Sequence, residues 1–252
     1  MQNRISKMKD FLLSQKQASV SDLKKLLCVS EVTIRKMLSN LEKEGFLLRR
    51  YGGAIIAENP KQMRSILSRM DVATKEKRAI ARVCSNMVND GENILLDAGS
   101  TTLAIARQLR NRKIRIITNS LPIAEELCDS TSNDNVEILG GSLRKNSASV
   151  IGPQACRALE KIRVDKSFIG CSGFDHKLGF SCENAIEAET KRMMLRCAAK
   201  KIIVCDHSKF DRPAFVNFAG PDEIDVVVSD QRPDADTLRL FRKHGNEMIV
   251  AK

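Results

Sequence analysis

The sequence predicts an α/β protein in two parts: a small helical unit closed by a hairpin, then a larger, mostly parallel, doubly wound sheet with helices on both faces. Three observations carry this. Apolar residues recur at helical spacing as far as Leu41 and are followed by a glycine-turned apolar run. Beyond residue 76, short aliphatic strands alternate with helical stretches. Between the two textures the charge drops from strongly positive to near zero. At 252 residues, with 42% hydrophobic and 29% charged side chains, the chain can bury one large core or two modest ones.

Within residues 1–57, Ile5, Met8, Leu12 and Leu13 share one face of a first helix. Val20-Ser21-Asp22-Leu23 opens a second, with Leu23, Leu26 and Leu27 as its apolar positions. Cys28-Val29-Ser30 breaks the pattern. Ser30 suits the N-cap of a third helix that carries Ile34, Leu38 and Leu41 at i, i+4 and i+7 and ends at Gly45. Two helices joined by a three-residue turn make a helix-turn-helix. Phe46 to Ile56 then read as two short strands around Gly52-Gly53, the wing of a winged helix. With Ile34, Leu38 and Leu41 inward, polar residues take the other faces of the third helix. Ser30, Thr33, Arg35, Lys36 and Asn40, with Arg49, Arg50 and Tyr51 on the wing, are the candidates for gripping phosphates and base edges of double-stranded DNA. The alternative is the solvated face of a protein-interaction domain.

The net charge is +11, unevenly spread: residues 1–82 hold 18 Lys+Arg against 8 Asp+Glu, a net of +10, and the remaining 170 residues hold 24 against 23, a net of +1. A basic segment on a near-neutral body points to a polyanion partner for the first part only, a solubilising basic face being the alternative. Residues 58–75 contain Pro60, several bases and no sustained apolar stripe, and read as a linker to a domain over 76–252.

In that second domain the expected strands are Asn93 to Asp97, Ile114 to Thr118, Val136 to Leu139, Lys166 to Gly170, Ile202 to Asp206, Ile224 to Ser229 and Met248 to Val250. Expected helices are Thr102 to Arg110, Pro122 to Cys128, Gln154 to Ile162, Asn184 to Ala199 and Ala235 to His244. Open α/β sheets bind ligands beyond the carboxyl ends of their strands, and those ends here are small and polar. Asp97-Ala98-Gly99-Ser100-Thr101-Thr102 runs into a helix, offering hydroxyls and free N–H groups, either as an anion site or as ordinary capping. Thr118-Asn119-Ser120, Gly140-Gly141, Gly170 to Phe174 and Asp206 to Phe210 add further polar ends. Lys209 can face a phosphate, and Asn119 or Asp97 sugar hydroxyls. Glu187 and Lys191 stand at i, i+4, either as a surface ion pair or turned into the same cleft.

No apolar run approaches the roughly 20 residues of a membrane span. The N-terminal residues lack the apolar stretch of a secretory signal, so the expected compartment is the cytoplasm. Eight cysteines show no CxxC pair and the three histidines have no zinc-site spacing, so we expect reduced, mostly buried thiols and neither metal nor cofactor. One Tyr and no Trp give no stacking platform for RNA.

Val29 to Lys36, followed by Leu48-Arg49-Arg50-Tyr51-Gly52-Gly53-Ala54, resembles the DNA-binding domain of the DeoR family of bacterial sugar-metabolism repressors. Asp97 to Thr102, Thr118-Asn119-Ser120, Gly140-Gly141 and Asp206 to Phe210 resemble that family's effector domain, in order, so the likeness spans essentially the whole chain. The resemblance implies a regulator whose second domain is similar to ribose-5-phosphate isomerase and senses a phosphorylated sugar or polyol, with Gly99, Ser100, Thr101, Thr118, Asn119 and Lys209 lining the site. It departs from the family's Arg-Arg-Asp-Leu at Arg35-Lys36-Met37-Leu38, where Met37 takes away an acidic partner for a base. The expected state is a homo-oligomer, dimer or tetramer, with no catalytic residues. An isomerase-like enzyme with an appended DNA-binding segment, using Asp97, Glu187 or Asp206 as base, is the alternative.

Overall fold

The computed structural model describes residues 2–15, 17–43, 47–50, 52–56, 74–128 and 135–252. Two compact units divide the chain, Met1–Val72 and Ala73–Lys252.

The first unit runs α1 (Gln2–Gln15), β1 (Gln17–Ser19), α2 (Val20–Leu27), α3 (Glu31–Lys43), β2 (Leu47–Arg50) and β3 (Gly53–Ile56). Met8, Leu12, Leu23, Leu27, Ile34, Leu38, Leu41 and Leu47 bury completely or nearly so, which is why three short helices hold together. Ser19 and Asp22 form a capping box at the start of α2, and Cys28 ends it in the left-handed region at φ 49°. Ser30 accepts the Thr33 N–H at 3.3 Å and so starts α3. The wing is real, but Gly53 belongs to its second strand rather than to the turn: it pairs with Arg50 and opens β3. Gly53 is needed for another reason, since a Cβ there meets Ala18 O of β1 at 2.4 Å. Strand β1, too short to show a period, pairs with β3 and completes a sheet in the order β1-β3-β2. Gly45, Phe46 and Tyr51 lie outside the described residues, as does the expected linker apart from Thr74 and Lys75, which open α4.

Unit two runs α4 (Thr74–Asn86), β4 (Asn93–Leu96), α5 (Ser100–Leu109), β5 (Arg115–Thr118), α6 (Leu121–Cys128), β6 (Val136–Ile138), β7 (Ser142–Arg144), β8 (Ser149–Ile151), α7 (Pro153–Glu160) and β9 (Val164–Gly170). It continues with β10 (Gly173–Asp175), β11 (Gly179–Cys182), α8 (Ala185–Arg196), β12 (Ala198–Val204), β13 (Val216–Ala219), β14 (Val226–Ser229), α9 (Ala235–Lys243) and β15 (Glu247–Val250). Seven strands form one sheet in the order β15-β14-β12-β9-β4-β5-β6, every pair parallel. All residues of β14 are buried, as in a strand covered on both faces. Helices α4, α5 and α6 pack in one group and α7 with α8 in another.

Two additions were not legible as strands. The antiparallel sheet β10-β11-β13 and the hairpin β7–β8 consist of pieces of three or four residues, β10 and β11 opened by glycine. Helix α4 lies across the expected domain edge. Of the cysteines, Cys84, Cys182, Cys197 and Cys205 are buried, Cys156 and Cys171 partly so, and Cys28 and Cys128 exposed; half, rather than most, are core residues.

Candidate functional site

On the first unit, α3 turns Arg35, Lys36 and Asn40 to solvent, with Ser30 exposed at its cap and Thr33 half-buried. Arg35 donates from Nε and Nη2 to Glu31 Oε1, at 3.0 and 2.6 Å. Met37 is buried in the helical core, so the position that differs from the family pattern packs rather than pairs, and Arg35 finds its acidic partner one turn back instead. Val32, 77% exposed, stands on the same outward face as Arg35 and Lys36, and sequence reading passed over it. Arg49 and Arg50 take their places in β2 opposite Ala54 and Gly53.

The larger site lies where chain order reverses in the sheet. From β4 the strands step one way to β5 and β6; β9 enters on the other side of β4, and β12, β14 and β15 follow it. The crevice between the ends of β4 and β9 is the switch point at which such sheets bind ligands. Asp97 directly follows β4 there and Gly170 ends β9. The Gly170 N–H donates to Asp97 Oδ2 at 3.1 Å, and Lys191 of α8 donates both to that same oxygen and to Gly170 O, the latter at 2.9 Å. Both side chains are buried, with 3% and 2% of Lys191 and Asp97 exposed. Glu187, one turn earlier on α8, sits 3.7 Å from Lys191 Nζ. The Glu187–Lys191 pair is therefore turned into the cleft.

Burial pushes the Asp97 carboxyl above its ordinary value, against the pull of Lys191. Burial works against the Lys191 ammonium too, but the charges of Asp97 and Glu187 outweigh it and raise its pKa. Cys182, beside the same groups, is pushed up by burial to about 11.

A second arc closes round from β5. Register places Asn119, which follows Thr118, beside Asp97, which follows Leu96. Asn119 holds the hairpin strand β8 by accepting the Val150 N–H at 2.7 Å and donating from Nδ2 to Val150 O at 3.1 Å. Ser149 bonds Ser147 at 2.6 Å, Arg144 donates to Ser147 at 3.2 Å, and Arg144 Nη1 lies 3.2 Å from Glu187 Oε2. Asn119, the hairpin, Arg144, Glu187, Lys191 and Asp97 thus line one polar ring, linked by these bonds and, between Asn119 and Asp97, by strand register. Sequence reading missed Arg144, Ser147 and Ser149; only Gly140-Gly141 just before them marked the place. Gly141, at φ +148°, has to be glycine because a Cβ there meets Ile151 O at 2.9 Å.

Other expected site residues fall differently. Thr102 and Thr118 are fully buried and bond backbone: Thr102 donates to Gly99 O at 3.0 Å, and Thr118 donates to Leu96 O at 2.7 Å while accepting the Ser120 N–H. Both hydroxyls are thus engaged by backbone of the strand ends. Gly99, Ser100 and Thr101 stand at the start of α5, whose Gly99 N-cap supplies no side-chain cap. Lys209 sits on the turn after β12, and no hydrogen bond or ion pair among the described residues ties it to the ring. His207 is held by Asp230 at 2.7 Å. His176, Asp211 and Asp234 are the one group among the described residues with metal-like spacing; they lie exposed, and the His176 ring already bonds Thr237 at 2.8 Å.

A helix-turn-helix with a wing, followed by a parallel sheet with a polar ring at its switch point, defines a DNA-binding regulator with a sensor domain. Residues 4–59 match the family described as DeoR-like helix-turn-helix domain, and residues 72–231 the DeoR C terminal sensor domain. The chain belongs to the DeoR family of transcriptional regulators. It is 35% identical over 244 residues to the putative aga operon transcriptional repressor of Escherichia coli O157:H7, covering 95% of this chain and 90% of that one. It is 30% identical to the HTH-type transcriptional repressor GlcR of Bacillus subtilis, over 100% and 96% of the two chains, and 31% identical to the L-fucose operon activator of Escherichia coli K12, over 91% and 95%. A ribose 5-phosphate isomerase from Methanocaldococcus jannaschii aligns with a TM-score of 0.40 at 17% identity over 54% of each chain. The relatives are regulators, and the enzyme reading gives way to theirs. No helix among the described residues is long and apolar enough to cross a membrane.

Proposed function

We propose that this chain is a cytoplasmic repressor of a carbohydrate or polyol operon whose grip on double-stranded operator DNA is set by a phosphorylated sugar or polyol bound at the strand ends of its second domain. The observation that carries it is the polar ring at the β4/β9 switch point beside the bare start of α5: a phosphate fits the α5 N–H groups with Gly99, Ser100 and Thr101, and hydroxyls fit the ring. Asp97 and Lys191 shape that ring as a buried pair, with Lys209 of the β12 turn as a candidate countercharge for the phosphate. Arg35, Lys36, Asn40 and Val32 enter the major groove from α3, Ser30 and Thr33 sit at its entry, and Arg49, Arg50 and Tyr51 hold adjacent backbone from the wing. Two reading heads on half-sites require at least a dimer, dimer or tetramer being the expected assembly.

Anisotropy of operator DNA from upstream of its own gene, at one salt concentration and with a panel of sugar phosphates, tests this. Specific binding that a phosphate weakens supports it. Affinity unchanged by any of them at saturation rejects effector control.

A further inference from the structure

Two acceptors on the ring have no hydrogen-bond partner among the described residues: Asn119 Oδ1 and Glu187 Oε2, both buried. Asn119 is only 2% exposed. Its orientation is fixed, because Nδ2 faces the Val150 carbonyl and turning the amide over would set two acceptors against each other. Arg144 Nη1 lies near Glu187 Oε2 as a charge but does not point a hydrogen at it. Buried acceptors without donors are unfavourable, so both atoms call for a ligand that donates hydrogen bonds. A phosphate dianion donates none; its place is therefore elsewhere, and the ring receives the other end of the effector.

Charge narrows the chemistry of that end. Asp97 and Glu187 contribute two negative charges, and Lys191 and Arg144 two positive ones, so the ring is neutral. An ammonium needs surplus carboxylate and a second phosphate or a carboxylate needs surplus cation; neither surplus exists here. Hydroxyls fit on both counts, one donating to Asn119 Oδ1 and a second to Glu187 Oε2 while its oxygen accepts from the guanidinium, which carries five N–H groups. Resting on the effector reading above, we infer that the ring selects an uncharged, hydroxyl-bearing end, so that the effector is a sugar or polyol monophosphate, excluding bisphosphates, phosphorylated acids and phosphorylated amino sugars. Arg144 and Glu187 set this choice as a pair of matched charges.

The test is titration calorimetry on the full chain with matched probes: fructose 6-phosphate against fructose 1,6-bisphosphate, glucose 6-phosphate against glucosamine 6-phosphate, and glycerol 3-phosphate against 3-phosphoglycerate. In the wild type, the uncharged member of each pair that binds is expected to win by roughly tenfold. Arg144→Gln leaves the ring one unit negative and is expected to move the preference toward glucosamine 6-phosphate; Glu187→Gln leaves it one unit positive and moves the preference toward the bisphosphate or the acid. Thermal unfolding run alongside shows that each variant is folded, and should one fail, the wild-type ratios and the other variant decide. Charged-ended probes that bind the wild type as tightly as their uncharged partners overturn the inference while leaving sugar-phosphate control standing, and so do variants that leave the ratios unmoved. Absence of binding by all six overturns the effector reading and this inference with it.

Discussion

The Lys191–Asp97 pair shows why a residue's neighbours matter more than its type. Removing one partner of a buried ion pair strands the other, so Lys191→Met is expected to destabilise the second unit by about 3–5 kcal/mol, and adding Asp97→Asn to recover most of that. Denaturant titration of the single and double variants checks it; equal stability of Lys191→Met and wild type would remove the pair from the core's energetics. The pH sign follows from the raised ammonium. Its folded pKa lies above the ordinary 10.5, so its contribution is complete below about pH 10.5 and is lost as pH climbs through the folded value, and this alkaline loss is absent from Lys191→Met. On α3, Arg35→Ala is expected to remove about 1–3 kcal/mol of discrimination between operator and mismatched DNA, whereas a uniform loss over all sequences would make Arg35 a phosphate contact. Its exposed pair with Glu31 is no obstacle, since such pairs contribute little. Glu187 and Lys191 could be named from their i, i+4 spacing, but no spacing tells a surface pair from a buried one.

At the scale of elements, capping and close approach do the work. Ser19→Ala removes one half of the α2 capping box and is expected to weaken that helix by about 1 kcal/mol, read as faster amide exchange across Val20–Leu27. The Ser19 hydroxyl holds the Asp22 carboxyl below its ordinary 3.8, so the box is intact above that pH and weakens as pH falls further. Gly53→Ala drives a methyl into Ala18 O, and loss of the β1–β3 pairing with weaker DNA binding is the expected result. Most helices and all seven strands of the parallel sheet were legible, because buried parallel strands read as aliphatic runs and amphipathic helices as a 3.6-residue period. The hairpin β7–β8 and the sheet β10-β11-β13 were not, because three- or four-residue strands hold too few positions to express a period, and β13 joins β11 from far along the chain.

For the whole molecule, the charge imbalance sets how DNA is found. With +10 on residues 1–82 and +1 on the rest, affinity for DNA is expected to fall steeply and linearly in log salt, and Arg49→Ala to lower that slope by roughly one unit while leaving sequence preference unchanged. A salt-independent affinity would reject the electrostatic part of the argument. The sequence by itself determined the division into a basic winged helix and a near-neutral α/β body, the parallel sheet and the polar strand ends, since periodicity, charge and strand-end chemistry are local properties of the chain. Only the tertiary structure decided which of those polar residues meet: strand order brought Asp97 beside Asn119 and Gly170, helix α8 delivered Lys191 and Glu187 to them, and an unread hairpin carried in Arg144. The same packing turned Thr102, Thr118 and Met37 inward. Contact between residues 21 to 94 positions apart depends on register and crossover, which no local pattern encodes.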